Sequence, residues 1–317
     1  MKSNYRYIVK AFMAMAVIAG TTSCDDFLDR EPMSSISPET YYSTAAQLEA
    51  NLNDEYPNVL PSFGQWTYGI FGEDKGTDNQ IEVNANDRYT QDRWKVPHSE
   101  SDNWKFERIY RINFFLSEAL PKFGEDMSGS QNTISGSVAT IKHYIGEMYF
   151  LRAYEYFKKL QLFGDFPIIN QPLADEMEAL REASKRFPRN EVARFIISDL
   201  DKAYAYMSDV DMATTRINKD VAMLVKSRVA LFEATWLQNF KGTAFVPGGE
   251  GWPGASLHNN YQYPSGNIDN EVKYFLEQAV EASKLVADKY KGSLTENTGV
   301  LQQSADDPSN PYFDMFA

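Results

Sequence analysis

"ATIKHYIGEMYFLRAYEYFKKLQLFGDFPII", residues 139–169, decides the fold. Ile145, Met148, Tyr149, Phe150, Leu151, Tyr154, Phe157 and Leu160 lie nearly all round a helical period. A helix that is apolar on several faces is packed on several sides, so this segment reads as the central helix of a helical protein. Its end is well marked. Gly164 can adopt a left-handed cap, and Pro167 blocks continuation. Arg152 puts a charge into this apolar surface, and a buried arginine has to be paired. Glu155, one turn on, is the acid within local reach.

Other helices follow on either side. Val221, Val225, Val229, Phe232, Trp236 and Phe240 form one apolar stripe, which assigns Trp236 to the core. Val192, Ile196, Leu200, Ala203 and Met207 form a second stripe. Val272, Phe275, Ala279, Ala282, Val286 and Tyr290 form a third. A fourth runs through Phe106, Ile109, Leu116 and Leu120, with Asn113 in the stripe as a hydrogen-bonded core residue. Trp104, at the start of that helix, is expected to be packed. An earlier helix reaches about Tyr56, with Ser37 or Ser43 as its cap and Glu39 in its first turn. The helices pair as 103–121 with 135–163 and 189–208 with 219–241, while 270–290 has no evident partner. Stacked helical pairs predict a mainly α, tetratricopeptide-like scaffold, although no tight 34-residue self-similarity is present. Residues 59–98 and 241–269, rich in Gly, Pro, Asn, Asp and aromatics, read as long irregular loops forming a second subdomain.

The first residues carry a different signal. Lys2, Arg6 and Lys10 precede an apolar run from Ala11 to Gly20, which is too short to span a bilayer. These are the length and flanks of a secretory signal. The chain's single cysteine, Cys24, follows directly after "TTS". With no second thiol to pair with in an oxidising compartment, Cys24 calls for another purpose. A lipobox-like reading gives residues 1–23 as a lipoprotein signal peptide, Cys24 as the lipidated residue, 24–36 as a tether and 37–317 as the helical domain. Thr21 stands where a lipobox usually has an aliphatic residue. The net charge of −13, made more negative by loss of the basic leader, argues against nucleic-acid and anionic-lipid partners. Membrane attachment therefore falls to the lipid at Cys24 alone.

Catalytic chemistry finds little support. His98, His143 and His258 lie far apart without a metal-ligand spacing, and His143 reads as a packed helix residue. No Gly-rich phosphate loop opens a helix. No catalytic residue, metal or cofactor is expected. Aromatics are abundant, with 20 Phe, 19 Tyr and 5 Trp, and two loops combine them with polar side chains. Residues 62–97 offer Trp66, Tyr68, Asp78, Asn79, Arg88 and Trp94, and residues 245–267 offer Trp252, Asn259, Asn260, Tyr261 and Tyr263. Sugar CH faces lie against such rings, and sugar hydroxyls bond such polar groups. Aromatics in long loops also serve to pin the loop to its scaffold. The terminal "DDPSNPYFDMFA", 306–317, leaves an apolar tail where a solenoid should end in a polar cap, so the chain is expected to be part of a longer protein.

Four stretches resemble the SusD/RagB family of outer-membrane lipoproteins: "SCDDFLDREP" (23–32), "GEMYFLRAYEYFKKLQLFGDFPII" (146–169), "FPRNEVARFIISDLDKA" (187–203) and "TRINKDVAMLVKSRVALFEATW" (215–236). The resemblance implies a tetratricopeptide-like scaffold with an irregular subdomain, exposed on the outer membrane as a lipoprotein. It also implies an oligosaccharide ligand, or a peptide in some members, and a SusC-like TonB-dependent β-barrel transporter as partner. Enzymatic activity is not implied. The candidate ligand residues Trp66, Tyr68, Asp78, Asn79, Arg88, Trp94, Trp252 and Tyr261 come from the loop composition rather than from a family motif. The competing expectation is a tetratricopeptide-like interaction scaffold or adhesin that binds only protein or peptide.

Overall fold

The computed structural model describes residues 41–61, 103–124, 126–208, 212, 215–300 and 306–314. Among them the regular structure is helical: α1 Ala45–Val59, α2 Glu107–Phe123, α3 Val138–Phe163, α4 Met177–Ala183, α5 Arg189–Tyr206, α6 Lys219–Asn239, α7 Ile268–Tyr290 and α8 Pro311–Asp314. Two isolated bridges, Thr44 with Ser135 and Phe166 with Phe187, are the extended pairings among the described residues. Leader, tether, Cys24 and the 62–97 loop lie outside the described residues.

Four of the long helices begin where the sequence supplies an acceptor side chain. Thr44 caps α1 in a reciprocal box with Gln47. The start is therefore Thr44, not Ser37 or Ser43, because Gln47 sits three residues after Thr44 and completes the box. Ser137, Asn218 and Asn267 cap α3, α6 and α7 through their side chains. Helix α3 ends at Gly164, whose φ of +67° suits a residue without a Cβ.

Helix α3 is the hub, packing against α1, α2, α5 and α6. Seventeen of its residues are buried, which accounts for its apolar character all round. Ser208, just past α5, donates its backbone N–H to His143 near the start of α3, while Arg189 at the start of α5 lies beside Gly164 at the end of α3. The two helices thus run antiparallel. Helices α5 and α6 pack together, and α7 packs on α6. The helix at 270–290 therefore has a partner after all. Buried Phe275, Ala279, Ala282 and Val286 turn its stripe inward, and Lys289 to Asp220 at 2.6 Å fixes its end against the start of α6. Successive helical pairs give the tetratricopeptide-like arrangement.

Arginines, buried or partly buried, tie the helices across these interfaces. Arg152 does not pair with Glu155. Its Nε and Nη2 donate to Asp199 of α5 at 2.6 and 2.9 Å, and its Nη1 donates to Asn113 of α2 at 2.9 Å. Asn113 in turn donates to the Ile169 carbonyl. Glu155 is occupied by Lys158 and Lys159. Arg216 is paired with Glu147, Arg194 with Glu271, and Arg111 with Glu55 and Asp54. His143 is buried, with Nε2 donating to the Ile217 carbonyl at 3.0 Å. Trp104 packs edge-on to Phe106, Phe163 and Phe166.

Candidate functional site

The end of α3 and the start of α5 meet the loop that follows α6, and a cavity of about 480 Å³ opens between them. Phe163, Asp165, Arg186, Arg189, Trp236, Phe245 and Trp252 are among its walls. The segments that carry these walls are joined by the Phe166–Phe187 bridge, with N–H to carbonyl distances of 3.1 and 3.0 Å. Asp165, in the "FGD" turn after α3, accepts the backbone N–H of Arg189 through Oδ1 at 2.9 Å. Pro188, the N-cap of α5, has no side-chain cap bond, so Asp165 satisfies an N–H of the first turn from outside the helix. Burial raises the Asp165 carboxyl pKa against the opposing pull of Trp252 and the Arg189 N–H.

The 240–267 loop folds against these segments. Trp236 donates its indole N–H to the Phe245 carbonyl at 3.0 Å, and Tyr263 donates its hydroxyl to the Pro247 carbonyl at 2.6 Å. His258 donates from Nε2 to the Arg186 carbonyl at 2.7 Å, since a carbonyl can only accept. Trp252 donates to Asp165 Oδ2 at 2.7 Å. Its ring packs on His258 and Tyr261 at centroid distances of 6.0 and 5.6 Å. Gly254 lies so close beneath the Trp252 ring that a Cβ there would overlap it.

Of the residues singled out in the sequence, Trp252 reaches the cavity, buried to 5 % exposure. Tyr261 stands behind it and exchanges two hydrogen bonds with the Asn190 side chain at 2.9 and 3.0 Å. Burial raises the pKa of the Tyr261 hydroxyl. Trp66, Tyr68, Asp78, Asn79, Arg88 and Trp94 lie outside the described residues. Sequence reasoning missed Asp165, Arg186, Arg189 and Phe245. Trp236 packs against the edge of the core but is only half-buried, at the cavity wall, tilted against Phe240 at 4.6 Å and under the Arg189 guanidinium at 4.1 Å. Its place in an apolar stripe was a correct signal for the helix and for contact with the core, and an incomplete one for burial. The signal available in the sequence was that "FGD", "FPR" and the end of the 215–236 stretch all sit at helix termini, where they converge.

The family whose model matches residues 26–231 is described as SusD-like, "Starch-binding associating with outer membrane". That match covers more than half of the chain. The chain belongs to the SusD-like family. Two curated relatives from Formosa agariphila are similar to it. SusD-like protein P2 is 25% identical over 253 residues, covering 76% of this chain and 46% of the relative. SusD-like protein P25 is 25% identical over 233 residues, covering 68% and 41%. The chain thus spans less than half the length of these SusD-like relatives. A crystallised SusD-like protein from Bacteroides fragilis aligns with a TM-score of 0.47 at 15% identity, over 85% of this chain and 43% of that one. No described helix of this SusD-like chain is long and apolar enough to cross a membrane.

Proposed function

We propose that the protein is a cell-surface substrate-binding lipoprotein that captures oligosaccharide and delivers it to a SusC-like TonB-dependent outer-membrane transporter. The observation that carries this reading is the SusD-like match over residues 26–231, in a family described as starch-binding and associated with the outer membrane. The geometry supports it with an open cavity that offers aromatic walls and hydrogen-bond donors, the pairing a sugar ring needs. Cys24 is the proposed lipid handle. Catalysis has no part in the reading.

The proposed ligand contacts are Trp66, Tyr68, Asp78, Asn79, Arg88 and Trp94 of the first loop and Trp252 of the second. Tyr261 holds Trp252 in place through ring packing. Substituting Trp66→Ala and Trp94→Ala together is expected to abolish glycan binding measured by calorimetry. Unchanged affinity in that double variant removes the first loop from the platform.

A further inference from the structure

We propose that the cavity between α3, α5 and the 240–267 loop is a subsite for a carboxylate-bearing sugar residue, with its ring against Phe245 and Trp236 and its carboxylate on Arg189 Nη1 and Arg186. This rests on the glycan-binding reading above and goes beyond it in ligand chemistry.

Arg189 supplies the first observation. It is 3% exposed, and its Nε and Nη2 are spent on Glu233 at 2.9 to 3.1 Å. Its Nη1 has no acceptor among the described residues. A guanidinium carries five N–H donors and no acceptor, so the donors on Nη1 remain available to a ligand. Nη1 lies on the side of Gly164, where the absent side chain leaves room; a Cβ there would come within 3.4 Å of it. Gly164 and Arg189 both line the cavity, so the unmet donor faces the space a ligand would fill.

Arg186 supplies the second. It lines the same cavity, is exposed, and has no ion-pair partner among the described residues. Its guanidinium is held over the Trp104 ring at 4.6 Å, which positions the charge without consuming its hydrogen bonds. The cavity's own carboxylate, Asp165, already accepts from a backbone N–H and an indole N–H. Both guanidiniums already act on Asp165 as its counter-charges, so what they offer a ligand is their remaining N–H donors, and the group that complements these is a planar acceptor with two oxygens, the shape a guanidinium recognises best.

The apolar walls complete the match. Phe245 is 62% exposed and packs edge-on to Phe240 at 5.4 Å, with the Trp236 ring beyond. Its ring is open to a ligand at the mouth. A small carboxylate without a ring would leave that surface uncovered.

The test presents the purified chain with an array of oligosaccharides containing uronic acids, the same oligosaccharides methyl-esterified, and neutral counterparts, followed by calorimetry on the hits. Acidic glycans are expected to bind, with about a tenfold or greater loss on esterification. Arg186→Gln, at an exposed position that leaves the fold intact, is expected to reduce acidic binding to the level of the ester. Binding of neutral and acidic forms with equal affinity, or acidic binding unaffected by Arg186→Gln, overturns the subsite while leaving the glycan reading standing. Absence of binding to every glycan overturns both.

Discussion

Arg152 shows what a single residue does in this molecule. It is 3% exposed and ties α3 to α2 and α5 at once through Asn113 and Asp199. Two of its N–H groups meet the two oxygens of one carboxylate, so little is left unmet on either partner. Removing the arginine alone strands Asp199, which is fully buried. Arg152→Ala is expected to cost about 3–5 kcal/mol in urea unfolding, while Arg152→Met combined with Asp199→Leu costs less. An equal or larger loss in the double variant would contradict the stranded-charge account. Glu271 carries a pH dependence. Burial pushes its carboxyl upward, but hydrogen bonds from Arg194, Asn190 and Ser265 outweigh this and hold it below the usual value. Its folded pKa is therefore lower than its unfolded one, near 4.3. The contribution is present above the unfolded value and is lost as pH falls through the folded value. The stability difference between the wild type and Glu271→Gln should thus be largest near neutrality and shrink in acid; a difference constant from pH 7 to pH 3 would contradict it.

At the scale of elements, periodicity was the legible part. The stripes at 192–207, 221–240 and 272–290 mark α5, α6 and α7 to within a few residues. A stripe shows that a helix has an apolar face; it does not show which neighbour covers it. For that reason α7 read as unpartnered, although Phe275 is fully buried and α7 packs along α6. Phe275→Ala is expected to destabilise the protein by about 3–5 kcal/mol, as loss of a large buried ring does. A change under 1 kcal/mol would mean that α7 is loosely docked. The pairing of Arg152 was missed for a related reason. Glu155 is near in sequence, while Asp199 comes near only once α5 is folded back on α3.

At the scale of the molecule, the helical array fixes a base on which irregular loops are laid. The candidate cavity was legible in its parts but not as a place. "FGD" ends α3, "FPR" opens α5 and Trp236 lies in the last turn of α6; their convergence is a product of antiparallel packing. Trp252 was legible as a loop aromatic, whereas its bond to Asp165 joins residues 87 apart in the chain. The central claim is that this chain binds glycans. The most direct measurement is a glycan array probed with the purified chain, with its helical content checked by circular dichroism. The account predicts saturable binding to a restricted set of oligosaccharides. A folded, helical protein that binds none of them would contradict it.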